Sequence, residues 1–215
     1  LTNHEIAWTD DSVKEAFYVM GQLLGNADFV ARGPDGALQM GFVDSVIAAL
    51  GTEPEAVMVY EGDFIAGVAA GEAGTVAGVD FDFFPFPSIA GSPPAVMGGG
   101  DVAVALTDNP AAQALLEFLT TAEGVESWAA TGGFISPNQN LDLSVYPDDV
   151  SRRSAEILTS AEVFVFDLSD LVPAALGGTA GAGIWGGLQN WLQNPADVDA
   201  VLEQLEAEAV AAFGG

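Results

Sequence analysis

Apolar positions along this chain follow two different spacings, and the changes between them set the expected elements. Val13, Ala16, Phe17, Met20 and Leu24 recur three and four apart behind "TDDS", so the spacing predicts a helix with a capping region before it and Gly25 at its end. "GNADFVARGPDGA" carries turn chemistry in Pro34-Asp35-Gly36 and reads as a loop. "LQMGFVDSVIAALG" predicts a second helix ending at Gly51. "AVMVY" is expected as a short buried strand, with "DFIAGVAAG" as the helix after it. "VDFDFFPF" alternates and then meets prolines, which predicts a strand that stops at Pro85. Glycines then lead into a further apolar strand, Val102–Leu106. "DNPAAQALLEFLT" has Asn109 as a helix cap and Pro110 in the first turn. "TAEGVESWAAT" is a shorter helix and "GGFISPNQNL" is irregular. Helices are expected over 147–160, 169–176 and 183–193, and a last one from Pro195, with Val198, Val201, Leu202 and Leu205 on one stripe. Strand and helix alternate, then helices run alone. The pattern is that of an α/β chain with a helical C-terminal third, without a fixed-period repeat.

Composition narrows the class. The 215 residues are 50% hydrophobic and 16% charged, enough for a folded globule with a sizeable core in one domain or two small ones. Net charge is −27, and only Lys14, Arg32, Arg152 and Arg153 are basic. Such a field repels phosphate backbones and anionic lipid, and no basic patch offsets it, so nucleic acid is not an expected partner. Surplus acid is common on chains exposed to salty or extracellular water, although acidity alone does not prove a halophile. The absence of cysteine excludes disulfides, thiolate chemistry and cysteine metal sites. The chain opens at Leu1 with neither initiator Met nor signal peptide, and reads as a mature product or as a piece of a longer one. Residues 171–196 are uncharged, but six glycines, two prolines and a terminal Gln/Asn cluster argue against a membrane span.

Several apparent motifs lead nowhere. Gly181, Gly183 and Gly186 spell G-x-G-x-x-G with Glu203 at ribose-acid distance, yet no strand precedes them. His4 is the only histidine and no G-x-S-x-G is present, which argues against a serine triad and excludes histidine-built zinc sites. No calcium loop pattern appears. No cofactor and no metal are expected. An acid pair of the glycosidase kind stays open, because 31 carboxylates supply many pairs.

Three stretches in sequence order carry a family resemblance. They are "FVDSVIAALGTEPEAVMVYEGDFIAG", "VDFDFFPFPSIAGSPPAVMGGGDVAVAL" and "NPAAQALLEFLTTAEGVESWAATGGFISPN". The last is the most specific, running from a helix through Glu123-Gly124 and Trp128 to Gly-Phe-Ile-x-Pro-Asn. "DLSDLVPAALGG…GIWGGLQNWL" and the closing helix complete the pattern. From about residue 10 onward the chain resembles the extracellular solute-binding proteins of carbohydrate ABC importers, in the branch of maltose- and α-glucoside-binding proteins. Members are roughly twice as long, so the chain looks like a C-terminal portion. The resemblance implies a periplasmic-binding-protein-like (type II) two-lobe α/β fold. Residues 1–95 would lie in the second lobe, 96–140 in the first, and 141–215 back in the second. It further implies a non-catalytic protein that takes a di- or oligosaccharide to membrane permease subunits. Its location would be extracellular or periplasmic, with any lipid anchor upstream.

A sugar presents hydroxyls, which suit carboxylates, and apolar C–H faces, which suit aromatic rings. Ligands of open α/β sheets bind beyond the carboxyl ends of strands, which is where Glu61, Gly62, Asp63 and Phe64 follow Val57–Tyr60. Glu61 and Asp63 would meet hydroxyls and Phe64 would stack, or else Asp63 caps its helix and Phe64 is core. Gly99, Gly100 and Asp101 would bring backbone N–H groups and a carboxylate to the cleft, or else the glycines serve only a crossover. Trp185 is turned about 100° from Ile184 on a helix, so it can leave the stripe of Ile184, Leu188 and Trp191. Maltose-binding relatives stack a Trp of the corresponding helix on sugar. Trp128 is expected in the core, and Asp170 either caps a helix or reaches the cleft. Two rival classes remain: a hydrolase using a carboxylate pair, and an oligomerising fragment, such as a homo-dimer, without binding activity.

Overall fold

A computed structural model describes residues 1–93 and 95–214, so Pro94 of the proline segment lies outside the described residues. The described chain is mostly helical with one small sheet. In chain order the helices are α1 (Asp11–Leu24), α2 (Gly33–Gln39), α3 (Phe42–Leu50), α4 (Ile65–Val68), α5 (Pro110–Leu119) and α6 (Ala122–Ala129). They continue as α7 (Asp149–Ser160), α8 (Leu168–Leu171), α9 (Ala174–Gly177), α10 (Gly183–Gln193) and α11 (Val198–Phe213). Two three-residue strands, β1 (Val96–Gly98) and β2 (Phe164–Phe166), form the sheet.

The helices begin where local chemistry lets them. Asp10 caps α1 by accepting from the Ser12 N–H, Asn109 caps α5 through Ala111, and Thr121 caps α6 through Gly124. Pro110 occupies the first turn of α5, where its missing N–H costs nothing. α10 covers the expected 183–193. The expected loop after Gly25 is partly helical, since Pro34 seeds α2 rather than an open turn.

Contacts divide the chain into two compact units. The terminal unit comprises Leu1–Gly41 with Phe166–Gly215, and the central unit comprises Phe42–Val165. The terminal unit has a continuous core of Trp8, Phe17, Leu176, Ile184 and Trp191 against the α11 stripe of Val198, Val201, Leu202 and Leu205. Phe17 meets Trp191 edge to face, with ring centroids 5.5 Å apart. Glu206 of α11 accepts from the Trp8 backbone N–H at 2.7 Å and lies 3.1 Å from Nε2 of His4, whose ring stacks on Phe213.

The central unit has a smaller core built on Val125, Ala129, Leu141, Tyr146 and Ala155. Tyr146 Oη accepts from the buried Ser136 N–H at 3.0 Å. Asp148 caps α7 through the Ser151 N–H at 2.8 Å. Here the expected strands fail to form. Residues 57–60, most of "VDFDFFPF" and 102–106 lie outside any strand, apart from an isolated bridge between Ala77 and Phe81. Val57 is 94% exposed and Leu106 91% exposed. The reason is physical: a strand exists only as half of a ladder, and alternation names a face without supplying a partner. The strand that does form ends at Gly98, where a Cβ would come within 2.8 Å of the Phe164 ring.

Candidate functional site

Trp185 is the best-defined candidate. It stands third in α10, and the same helix buries Ile184 and Trp191. Trp191 is 1% exposed, whereas Trp185 is 47% exposed, as the angular offset on the helix requires. The Trp185 indole Nε1–H donates to the Gly177 carbonyl at 2.6 Å. The polar edge of the ring is therefore satisfied within the protein, and its exposed surface is aromatic. Gly177 is forced by packing, because a Cβ there would collide with the Ser169 carbonyl and approach Val172 within 2.7 Å.

Asp170 also lies in the terminal unit, in the first turn of α8, and it is exposed. The cap of α8 is Asp167, whose carboxylate accepts from the Ser169 N–H at 2.8 Å and from the Ser169 hydroxyl at 2.6 Å. Asp170 is thus free of the capping role offered as its alternative.

In the central unit, Glu61, Asp63 and Phe64 are exposed and lie just before α4. Phe64, not Asp63, holds the N-cap position, and its side chain makes no capping bond. The Phe64 ring lies over Gly62, where a Cβ would come within 2.6 Å of it, and it tilts against Phe42 at a centroid distance of 5.8 Å. The ring thus occupies the space a Cβ at Gly62 would need, and half of that ring stays bare. The Asp63 carboxyl has its pKa raised because surrounding protein desolvates it, although the residue as a whole still meets solvent. Glu61 accepts from the adjoining Gly62 N–H, at 3.4 Å.

Gly99, Gly100 and Asp101 follow β1 as irregular, exposed chain, and a Cβ at Gly100 would meet nothing within 4 Å. The buried strand expected after them is absent. Trp128 departs from its expected core position. It is half exposed, and its ring stacks on Phe134 at 3.9 Å and 5°. Gly132 and Gly133, with φ of 77° and 71°, fold the chain back to place Phe134 there. No group of three or more potential metal ligands occurs among the described residues.

Comparison with known proteins now bears on these features. The chain is 34% identical over 207 residues to the osmoprotective compounds-binding protein GgtB of Synechocystis sp., covering 94% of this chain and 47% of that protein. It is 33% identical over 201 residues to the alpha-glucosides-binding periplasmic protein AglE of Rhizobium meliloti, covering 91% of this chain and 42% of that protein. The chain is related to solute-binding proteins. The resemblance read from its motifs is borne out, and both names describe binding rather than turnover. The chain spans about half the length of the curated relatives it matches. No family model matches it, and no solved structure does.

Proposed function

We propose that this chain carries part of a non-catalytic binding site for a di- or oligosaccharide, with α-glucosides as the leading class. The observation that carries the reading is the match, across more than nine-tenths of the chain, to two proteins named for binding osmoprotective compounds and α-glucosides. The exposed aromatic surfaces of Trp185 and Phe64 support it, since each suits the C–H face of a pyranose. Glu61, Asp63, Asp101 and Asp170 accept from sugar hydroxyls in this reading, and Gly99 and Gly100 let backbone approach the ligand.

The same proposal includes a two-lobe, type II periplasmic-binding-protein-like fold for the whole protein. Its second lobe takes residues 1–95 and 141–215, and its first lobe takes 96–140. Hinge closure captures the sugar, which passes to the permease subunits of an ABC importer. The site of action is extracellular or periplasmic, with a lipid anchor upstream as one form of attachment. Isothermal titration of the complete gene product with maltose, trehalose and sucrose tests the binding. Saturable heat with at least one of them is expected, and its loss in Trp185→Ala. No binding across the three overturns the reading.

A second reading concerns the isolated chain. Val57 and Leu106, almost fully exposed, favour self-association of this stretch on its own. Light scattering on the 215-residue chain is expected to give a dimer mass, and a monomer mass rejects it.

A further inference from the structure

The first turn of α10 lacks an ordinary cap. Its N-cap residue is Ala182, which offers no side-chain acceptor. The turn is also crowded. Gly183 has φ of 55°, and a Cβ there would collide with the Leu176 carbonyl. Neither Ala182 nor Gly183 carries a side-chain acceptor of its own. The acceptor comes instead from α11: Glu208 Oε2 accepts from the Gly183 N–H at 2.6 Å. The other carboxylate oxygen, Oε1, accepts from Gln204 Nε2 at 2.9 Å, and Gln204 Oε1 accepts from Asn190 Nδ2 at 3.0 Å. α11 therefore grips α10 at residues 183 and 190, on either side of Trp185. Between them, Gly187 lets the helices close, since a Cβ there would come within 2.6 Å of Leu205 Cδ2.

We infer that Glu208 is a positioning residue for Trp185. It substitutes for the missing cap, fixes the first turn of α10, and so keeps the Trp185 indole on the Gly177 carbonyl with its ring surface presented to ligand. The inference rests on the binding reading above for the ligand's part and on geometry alone for the rest. A charged acceptor suits a helix N-terminus, but the bond needs only an oxygen, so a glutamine preserves it, and its NH2 donates to Gln204 Oε1 once the side-chain amides of Gln204 and the exposed Asn190 turn over.

Two measurements separate these parts. The first is hydrogen exchange of the Trp185 indole proton in the 215-residue chain, assigned with Trp185→Phe and needing no sugar. Glu208→Ala is expected to speed that exchange about tenfold, the size of losing one helix cap, while Glu208→Gln stays within about twofold of the parent. The second is titration of the complete gene product with whichever of maltose, trehalose and sucrose it binds, where Glu208→Ala is expected to weaken binding about tenfold and Glu208→Gln to restore it. Unchanged indole exchange in Glu208→Ala overturns the inference. So does a Glu208→Gln variant as impaired as the alanine, or faster exchange with sugar affinity unmoved. If the parent protein binds none of the three sugars, the functional reading falls and the ligand part of the inference with it, while exchange still decides whether Glu208 holds the ring. Should Glu208→Ala not fold, Gln204→Ala unhooks Oε1 and leaves the core intact; its expected acceleration is smaller, about threefold.

Discussion

The terminal unit closes its own core, whereas the central unit leaves much of its apolar sequence uncovered. In the first, the stripes of α10 and α11 bury Trp191, Leu202 and Leu205 to 1%, 2% and 0% exposure. In the second, apolar residues of comparable size face water along 57–60 and 102–106. Composition does not separate them, because both regions are rich in Val, Leu and Ala. What differs is the kind of partner each requires. A helix satisfies its own backbone and needs only a side-chain surface to pack on, which neighbouring helices provide. A strand needs another backbone beside it. Helical regions can thus be self-sufficient where strand-patterned ones are not.

The largest test of that contrast is Trp191→Ala. Removing this fully enclosed ring from between Phe17 and α11 is expected to cost about 3–5 kcal/mol in denaturant unfolding. A cost below about 1 kcal/mol would mean that the terminal core is loosely packed. Asp63→Asn is expected to have a smaller effect of opposite sign. The folded-state pKa of Asp63 is raised above its usual 3.8, so the fold prefers the protonated form. The parent protein therefore loses stability as pH rises through that raised value. The neutral asparagine should be the more stable at pH about 7, with the advantage vanishing below the unfolded pKa. Unfolding midpoints at neutral and acid pH check this, and a midpoint difference independent of pH rejects it. Leu106→Ala marks the other end of the scale. In the monomer, where the side chain is already in water, the unfolding free energy should stay within about 0.5 kcal/mol of the parent at concentrations too low for self-association. A core-sized loss there would show that the segment is buried after all.

Most helices were legible because their signals are local. Asn109-Pro110, Thr121 and the α11 stripe each lie within a few residues of the structure they specify. The strands were not, since the alternation in "VDFDFFPF" is a statement about faces, and pairing is a long-range fact. Trp185 and Trp191 were separable by helical geometry alone. Trp128 departs from the core position its sequence suggests because its stacking partner arrives by way of two left-handed glycines, which no periodicity reveals. The role of Glu208 is not legible in the sequence for a similar reason: 25 residues separate it from Gly183. A usable clue existed, namely a helix opening on Ala182 with none of Ser, Thr, Asp or Asn at its cap. Such a start calls for an acceptor from elsewhere in the fold.

The imidazole held between Glu206 and the ring of Phe213 is the only one in the chain. Its ring-proton resonances therefore form a one-site spectrum, free of overlap from other histidines. Loosening of α11 from the opening residues would register there as lost ring-current displacement, with no isotopic labelling and no inserted probe.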